Sequence, residues 1–504
     1  RRELDELMSN PPPVQLRLSA LSHLPVGVER PTYRRSDLSP GILHVGVGNF
    51  HRAHQAMYMH RLFEKGSNRD WAIVGGGVRP SDTSMRDRLS AQDWLTTVVE
   101  LDPAGLSARI CGSMIDFVPV QPEALIAAMA RPEIRIVSLT VTEGGYFIDA
   151  GTGGFDASHP DILADLGDRE NPKTVFGAII AALARRREAN LPPFTVMSCD
   201  NLPENGHITR QAVIGLARSM RPGMEDWIAS DVAFPSGMVD CITPATGPRE
   251  IVLVRDRFGI DDAAPVVCEP FRQWVLEDHF PQGRPALEEV GVQFVADVAP
   301  YELMKLRILN GGHAAIAYVS GLLGIRYVHD AMRHPLVAGF LDRLEHEEII
   351  PTVPTPPGED LEAYYRKIVE RFSNPEVGDT VARLCLDGSN RQPKFILPTI
   401  ADRLRDGRSV EGLALEVALW CRYCAAIDEN GKTIEIDDPM AEELKSRARE
   451  AKTDPSAWLR MSRVFGPLAS RDAFAAPFAA ALTALWRDGV SPVVERYIRG
   501  DSPA

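Results

Sequence analysis

A change of hydrophobic rhythm near residue 298 restricts the fold of this chain more than any other feature. Before it, short β-branched runs alternate with helical or polar stretches: "GILHVGVG", "WAIVGGGV", "EIRIVSLTVT" and "PFTVMSCD", then "PVVCEPF" and "GVQFVADV". Such alternation predicts a mostly parallel sheet covered by helices. After it, "PLVAGFLDRLEHEEIIP", "EDLEAYYRKIVERF", "RSVEGLALEVALWCRYCAAI" and "AFAAPFAAALTALWRDG" carry apolar residues at three- and four-residue spacing, which predicts helices. "PTVPTPPGED" and "SNPEVGD" read as loops between them. The reading is therefore an α/β domain over residues 1–297 followed by a mainly α-helical domain over 298–504.

Composition narrows the functional classes. The net charge of −14, from 69 acidic and 55 basic residues, is spread without a basic block, which argues against nucleic acid as partner. No apolar run approaches the ~20 residues that span a bilayer, and "RRELDELMSN" has no apolar segment of signal-peptide type after it. A soluble, cytoplasmic protein is expected. The seven cysteines, 111, 199, 241, 268, 385, 421 and 424, are odd in number and lie in apolar segments, so reduced thiols are expected. Cys421 and Cys424 form a CxxC inside a helical apolar run with no second pair to complete a zinc site, and read as buried thiols.

"HVGVGNFHRAH" follows a strand pattern and precedes a helical one, the context of a dinucleotide-binding loop. Gly46 would allow the tight turn and Gly48 the approach of backbone to a pyrophosphate, with Val47, Asn49 and Phe50 completing the loop. The third glycine of the usual fingerprint is replaced by His51. After the next strand, Asp82 in "RPSDT" is a candidate acceptor for the adenosine ribose, which favours NAD over NADP, although Arg79 nearby would suit a phosphate. This loop makes the first domain Rossmann-type in expectation. His51 and His54 share a helix face but have no evident third ligand, so packing is favoured over metal and no metal is expected.

In "YELMKLRILNGGH", Glu302, Lys305, Asn310 and His313 interrupt an apolar pattern. On an α-helix they would share an arc of about 140°, with Lys305 and His313 roughly 12 Å apart along the axis. A lysine in apolar surroundings has a depressed pKa and can serve as general base; the alternative is a snorkelling lysine followed by a capping asparagine. "VMSCDNLPENGH" ends a strand with Asp200 and Asn201, and Glu143 in "TVTEGGYF" follows another, at positions where catalytic groups of open α/β sheets gather.

These residues, with "FPSGMVDCITP", "PVVCEPFRQWVLED" and "QGRPALEEVGVQFVADV", resemble the polyol-specific long-chain dehydrogenases/reductases from about residue 40 to the last helices. In that family the loop reads GxGxFHRAH, so His51 belongs to the pattern. The resemblance implies a metal-independent, NAD-dependent oxidation of a polyol secondary alcohol to a ketose by a monomer without nucleic-acid or membrane partners. It implies Lys305 as general base, Asn201 and Asn310 as holders of the developing alkoxide, His313 as substrate-orienting residue and Glu143 as proton relay. Asp240, Arg383, Arg391 and Glu302 would bind the remaining substrate groups. D-mannitol to D-fructose is the first expectation, from "PVVCEPF" and "PKFILPT". Mannonate oxidation by a fructuronate-reductase-like member, or another polyol such as arabinitol or sorbitol, is the alternative. Two departures bear on substrate choice: Arg391 in "NRQPKF", where the family has "SK", and "GGH" where it has "GSH". A zinc hydrolase on His51 and His54, or a non-catalytic NAD-binding module, is a remote alternative.

Overall fold

The computed structural model describes residues 12–149 and 151–501. The chain divides into two compact units, one ending at Ala299 and one beginning at Pro300. That division falls just beyond the 297/298 boundary expected from the sequence.

The first unit is built on a five-stranded sheet: β1 (Pro40–Val45), β2 (Ala72–Gly76), β3 (Met114–Phe117), β4 (Ile136–Leu139) and β5 (Thr195–Ser198). Their order is β3-β2-β1-β4-β5, and every neighbouring pair is parallel. Leu43 pairs with Val74 on one side and Val137 on the other, and Val45 with Gly76 and Leu139. Parallel strands are covered on both faces, which is why these segments read as nearly unbroken apolar runs; every residue of β2, β4 and β5 is buried. The covering helices include α1 (Asn49–Ala53), α2 (Gln55–Glu64), α3 (Pro80–Ser90), α4 (Val175–Glu188) and α5 (Asn205–Met220). α4 shows why such segments are helical: Thr174 accepts from the Gly177 amide at 3.0 Å, and Arg185, Arg186 and Arg187 occupy the last turn, where the helix dipole favours cations.

Chain direction across the sheet reverses between β1 and β4, which opens a crevice at their carboxyl ends. Besides a two-stranded pairing of Val14–Gln15 with Ile260–Asp261, two smaller sheets accompany this core. One joins Val266–Cys268, Thr96–Glu100, Ser107–Cys111 and Val28–Glu29, with an antiparallel hairpin at its centre. The other pairs β6 (Gly237–Asp240) antiparallel to β7 (Gln273–Glu277), with Gln293–Val295 parallel to β7. The runs "PVVCEPF" and "GVQFVADV" thus form strands, but outside the main parallel sheet.

The second unit is helical, with no strand beyond isolated bridges among the described residues. It begins with α6 (Ala299–Met304), a π-helical turn at Lys305–Asn310 and α7 (Gly311–Leu322). α8 (Pro335–Leu344) runs into a second π-helical turn, Glu345–Ile349, and α9 (Leu361–Phe372), α10 (Val381–Leu384) and α11 (Gly388–Phe395) follow. α12 (Glu411–Cys424) is buried from Gly412 onward and packs on α7 and on α13 (Asp472–Asp488). Cys421 and Cys424 lie on α12, unbridged like the other five cysteines, and burial pushes both thiols well up, the unreactive direction.

Candidate active site

β1 leads directly into the glycine loop. Gly46 has φ +96°, and a Cβ there would sit 2.1 Å from the Thr140 carbonyl oxygen, so only glycine fits. At Gly48 an added Cβ would meet nothing nearer than the Gly46 carbonyl at 4.0 Å. Gly48 is half-buried, and its amide donates to the Gly46 carbonyl at 2.8 Å, closing the turn of the loop. Val47 is buried between the two glycines and Phe50 is half-buried.

His51 replaces the third glycine by lying flat. Its ring stacks on His44 of β1 with centroids 3.5 Å apart and planes 12° apart. Glycine normally permits close packing of helix on strand at this point; a pair of parallel imidazoles provides the same fit here. His44 Nδ1 lies 2.7 Å from Ser138 Oγ, and its Nε2 lies 2.8 Å from Thr140 Oγ1, which donates to the Gly46 carbonyl at 2.6 Å. Burial lowers the pKa of His44 to about 3 and that of His51 well below the usual value, so both rings are neutral. Arg52, also buried, donates through Nε to the Gly48 carbonyl at 3.2 Å and through Nη2 to Asn49 Oδ1 at 2.9 Å, and its third branch reaches the Ala264 carbonyl. His54 turns elsewhere: Nε2 lies 2.8 Å from the Gln273 carbonyl on β7, and the ring stacks on Phe50 at 4.9 Å. Among the described residues no three His, Cys, Asp or Glu side chains converge as a metal site needs. Sequence reasoning passed over His44 and Arg52, although both stand inside the quoted motif.

The remaining candidates of the first unit stand at or just beyond carboxyl ends of strands. Asp82 lies in the first turn of α3, after β2. Its Oδ2 accepts from the amides of Val78 at 2.9 Å and Arg79 at 2.8 Å, so one oxygen holds the turn together. Arg79 reaches the Val141 carbonyl at 3.3 Å. Asp200, after β5, accepts from the amides of Val141 at 2.9 Å and Thr142 at 3.0 Å and from the Tyr146 hydroxyl at 2.5 Å. It thereby ties the exposed turn carrying Glu143 to the loop carrying Asn201, also exposed. Thr142 (φ 66°), Phe147 (φ 53°) and Glu204 (φ 53°) hold left-handed conformations around these two loops. Strain of this kind collects at functional sites. Asn205 is the second anchor: it donates to the Gly237 carbonyl at 2.8 Å and accepts from the Gly237 amide at 2.9 Å, linking the Asn201 loop to β6, whose last residue is buried Asp240.

In the second unit, Lys305, Asn310 and His313 occupy one continuous helical rod, but its centre is π-helical. The 140° arc expected for an α-helix therefore does not apply, because the wider turn changes the angular step between Lys305 and Asn310. Nor is Asn310 a cap: its φ −73°, ψ −38° is helical, and the rod continues through Gly311 and Gly312. Lys305 is buried, at 6% exposure, and Glu302 and Asn310 are half-buried. Arg307 sets the rotation of the turn, donating to the Thr352 carbonyl at 3.0 Å and pairing with Asp402. The His313 ring stacks on Phe372 with centroids 4.1 Å apart and planes 14° apart. Arg383 is forked onto Asp379, with bonds of 2.6 and 2.5 Å, and Arg391 donates to the carbonyls of Arg383 and Leu384 at 3.2 Å each. The two arginines are neighbours, each already partly committed.

Comparison with known proteins shows the family. Residues 40–289 match the mannitol dehydrogenase Rossmann domain and residues 297–486 the mannitol dehydrogenase C-terminal domain. The chain belongs to the mannitol dehydrogenase family. Within that family it is 58% identical to the mannitol 2-dehydrogenase of Cereibacter sphaeroides over 473 residues, 94% of this chain and 99% of the relative. It is 44% identical to that of Aspergillus terreus, over 94% of this chain and 96% of the relative. Among solved structures, Pseudomonas fluorescens mannitol 2-dehydrogenase in ternary complex with NAD and D-mannitol aligns with a TM-score of 0.84 at 44% identity, covering 96% of this chain and 99% of that one. A substrate-free D-sorbitol dehydrogenase aligns with a TM-score of 0.89 at 36% identity, covering 95% and 99%. No described helix is long and apolar enough to cross a membrane.

Proposed function

We propose that this protein oxidises a polyol secondary alcohol to a ketose with NAD, D-mannitol to D-fructose above all, with Lys305 as general base. The observation that carries the reading is a buried lysine on a π-helical turn, followed on the same rod by Asn310 and His313. π-turns recur at functional sites, and burial disfavours the charged form of an amine, which favours the neutral form able to accept a proton. Gly46, Val47, Gly48, Asn49, Phe50 and His51 form the cofactor loop, with Arg52 bonded to the Gly48 carbonyl and the Asn49 side chain, and Asp82 offers a carboxylate oxygen to the adenosine ribose. NAD, when held by this loop, would supply the hydride acceptor for the reacting carbon. Lys305 takes the hydroxyl proton, and the amides of Asn201 and Asn310 donate to the developing alkoxide as an oxyanion hole does. His313 orients the substrate, Glu143 passes the proton to solvent, and Asp240, Arg383, Arg391 and Glu302 bind the other hydroxyls. No step in this scheme calls on a metal ion. The seven unbridged thiols support a reducing, cytoplasmic setting, and the protein acts as a monomer in this reading.

D-sorbitol is the second substrate to test, favoured by the closeness of the D-sorbitol dehydrogenase fold. The experiment is a spectrophotometric screen of D-mannitol, D-sorbitol, D-arabinitol and D-mannonate with NAD and NADP. The highest kcat/KM is expected for D-mannitol with NAD. Reduction of neither cofactor by any polyol, or a preference for mannonate, would overturn the proposal.

A further inference from the structure

Glu345 opens the second π-helical turn with 0% exposure, and neither of its carboxyl oxygens has a hydrogen-bond partner. Two other buried acids of this unit differ: Glu348, on the same turn, accepts from the amides of Gly412 at 2.6 Å and Leu413 at 2.9 Å, and Glu416 accepts through Oε1 from Gln392 at 2.6 Å, with only its Oε2 unpartnered. A carboxylate sealed from water without donors is strongly disfavoured, so the group is held as the neutral acid; burial alone pushes its pKa well above the usual carboxyl range. An orphaned buried acid where an apolar residue would pack freely calls for a reason.

Its location supplies one. The two π-helical turns of the second unit pack against each other. A Cβ built on Gly312 would lie 3.0 Å from Glu345 Oε1, 3.5 Å from Leu341 Cδ1 and 3.6 Å from Phe372 Cε2. Gly312 is the residue that departs from the family's "GSH" pattern, and Phe372 is the ring on which His313 stacks. The acid, the missing side chain at 312 and the stacking partner of His313 therefore form one contact. The titratable and charged groups around it include Glu348 on its own turn, Lys305 and Arg307 on the first π turn, His313 on α7, Asp342 and Arg343 on α8, Asp402 and Arg403 on the helix Leu397–Arg405 that packs on this turn, and Tyr365 and Arg371 on α9. Burial first, then the neighbouring acids Asp342 and Glu345, push the Tyr365 hydroxyl up.

We infer that Glu345 is a positioning residue: as the protonated acid it seats the Gly312–His313 segment, and its ionisation displaces that segment and impairs turnover. This rests on the reading of Lys305, Asn310 and His313 as the substrate-handling set. Glu345→Gln keeps the shape and removes the titration, and Glu345→Met fills the same space with apolar atoms.

Two readouts test it. In ligand-free protein carrying 13C-labelled histidine, with the His313 signal assigned through its loss in His313→Asn, a pH titration upward from the usual carboxyl range should show at His313, besides the imidazole's own titration, a second step in the wild type that both Glu345 variants lack. In turnover, kcat of Glu345→Gln for D-mannitol relative to wild type should rise about threefold or more across the same range, with KM for NAD unchanged. Identical His313 titrations, superimposable kcat profiles, or a change confined to thermal stability would overturn the inference. A wild type that turns over no polyol would overturn the proposed function instead, while the His313 signal would still decide whether Glu345 acts on that segment.

Discussion

At the scale of single residues, the cofactor loop depends on side chains that never need to touch a ligand. Arg52 presents three branches to three oxygens of fixed geometry, and a lysine has no such fork. Arg52→Ala and Arg52→Lys should both raise the dissociation constant for NADH by about tenfold or more, measured by fluorescence titration, because the loss of one buried charge-assisted contact is worth ~1.5–3 kcal/mol. His51 and His44 make a second residue-scale prediction. Their folded-state pKa values are lowered by burial, so the unfolded chain takes up protons that the folded chain refuses. Stability contributed at neutral pH is therefore lost as pH falls below about 6.5, and continues to fall towards the His44 value. His51→Phe, which keeps a flat ring against His44, should flatten the decline in Tm between about pH 6.5 and 4.5; an unchanged slope would show that the imidazole pair is not its source. The glycine pattern was legible in the sequence, and so was the anomaly at His51. What the sequence did not display was the partner across β1, because stacking of residues 44 and 51 depends on how a strand and the next helix face each other.

Among elements, the π-helical turn at Lys305–Asn310 matters most. The sequence disclosed Glu302, Lys305, Asn310 and His313 as polar interruptions in an apolar rod, but their mutual rotation was read on α-helical geometry. Periodicity of apolar residues reports which face is buried and is blind to one widened turn. Deleting Ile308 should restore an uninterrupted α-helix and rotate Lys305 against His313 by about 100°. The expected outcome is retention of the circular dichroism spectrum with kcat reduced by two orders of magnitude or more, on the scale of a misplaced general base (~10²–10⁴-fold). Near-normal turnover would mean that the π turn has no catalytic consequence. A comparable oversight occurred at the hairpin Thr96–Glu100 and Ser107–Cys111. There "TTVVELDPAGLSARIC" carries alternation and a turn signal that were present in the sequence but overshadowed by the longer parallel-sheet runs.

For the whole molecule, the change of rhythm near residue 298 corresponds to the passage from a doubly wound sheet to a helical unit, and the strand order β3-β2-β1-β4-β5 sets the candidates of the first unit at or just beyond its strand ends. All seven cysteines are free and buried, so Ellman's reagent should label none in the native protein and all seven after denaturation; rapid native labelling would contradict the burial of these segments. The central claim is that Lys305 abstracts the proton of the reacting hydroxyl while the glycine loop independently holds NAD. Comparing Lys305→Ala with wild type in a single experiment, kcat for D-mannitol oxidation alongside the NADH dissociation constant, tests it most directly. The account predicts a fall in kcat of about three orders of magnitude with NADH binding unchanged. Turnover within about tenfold of wild type would contradict it.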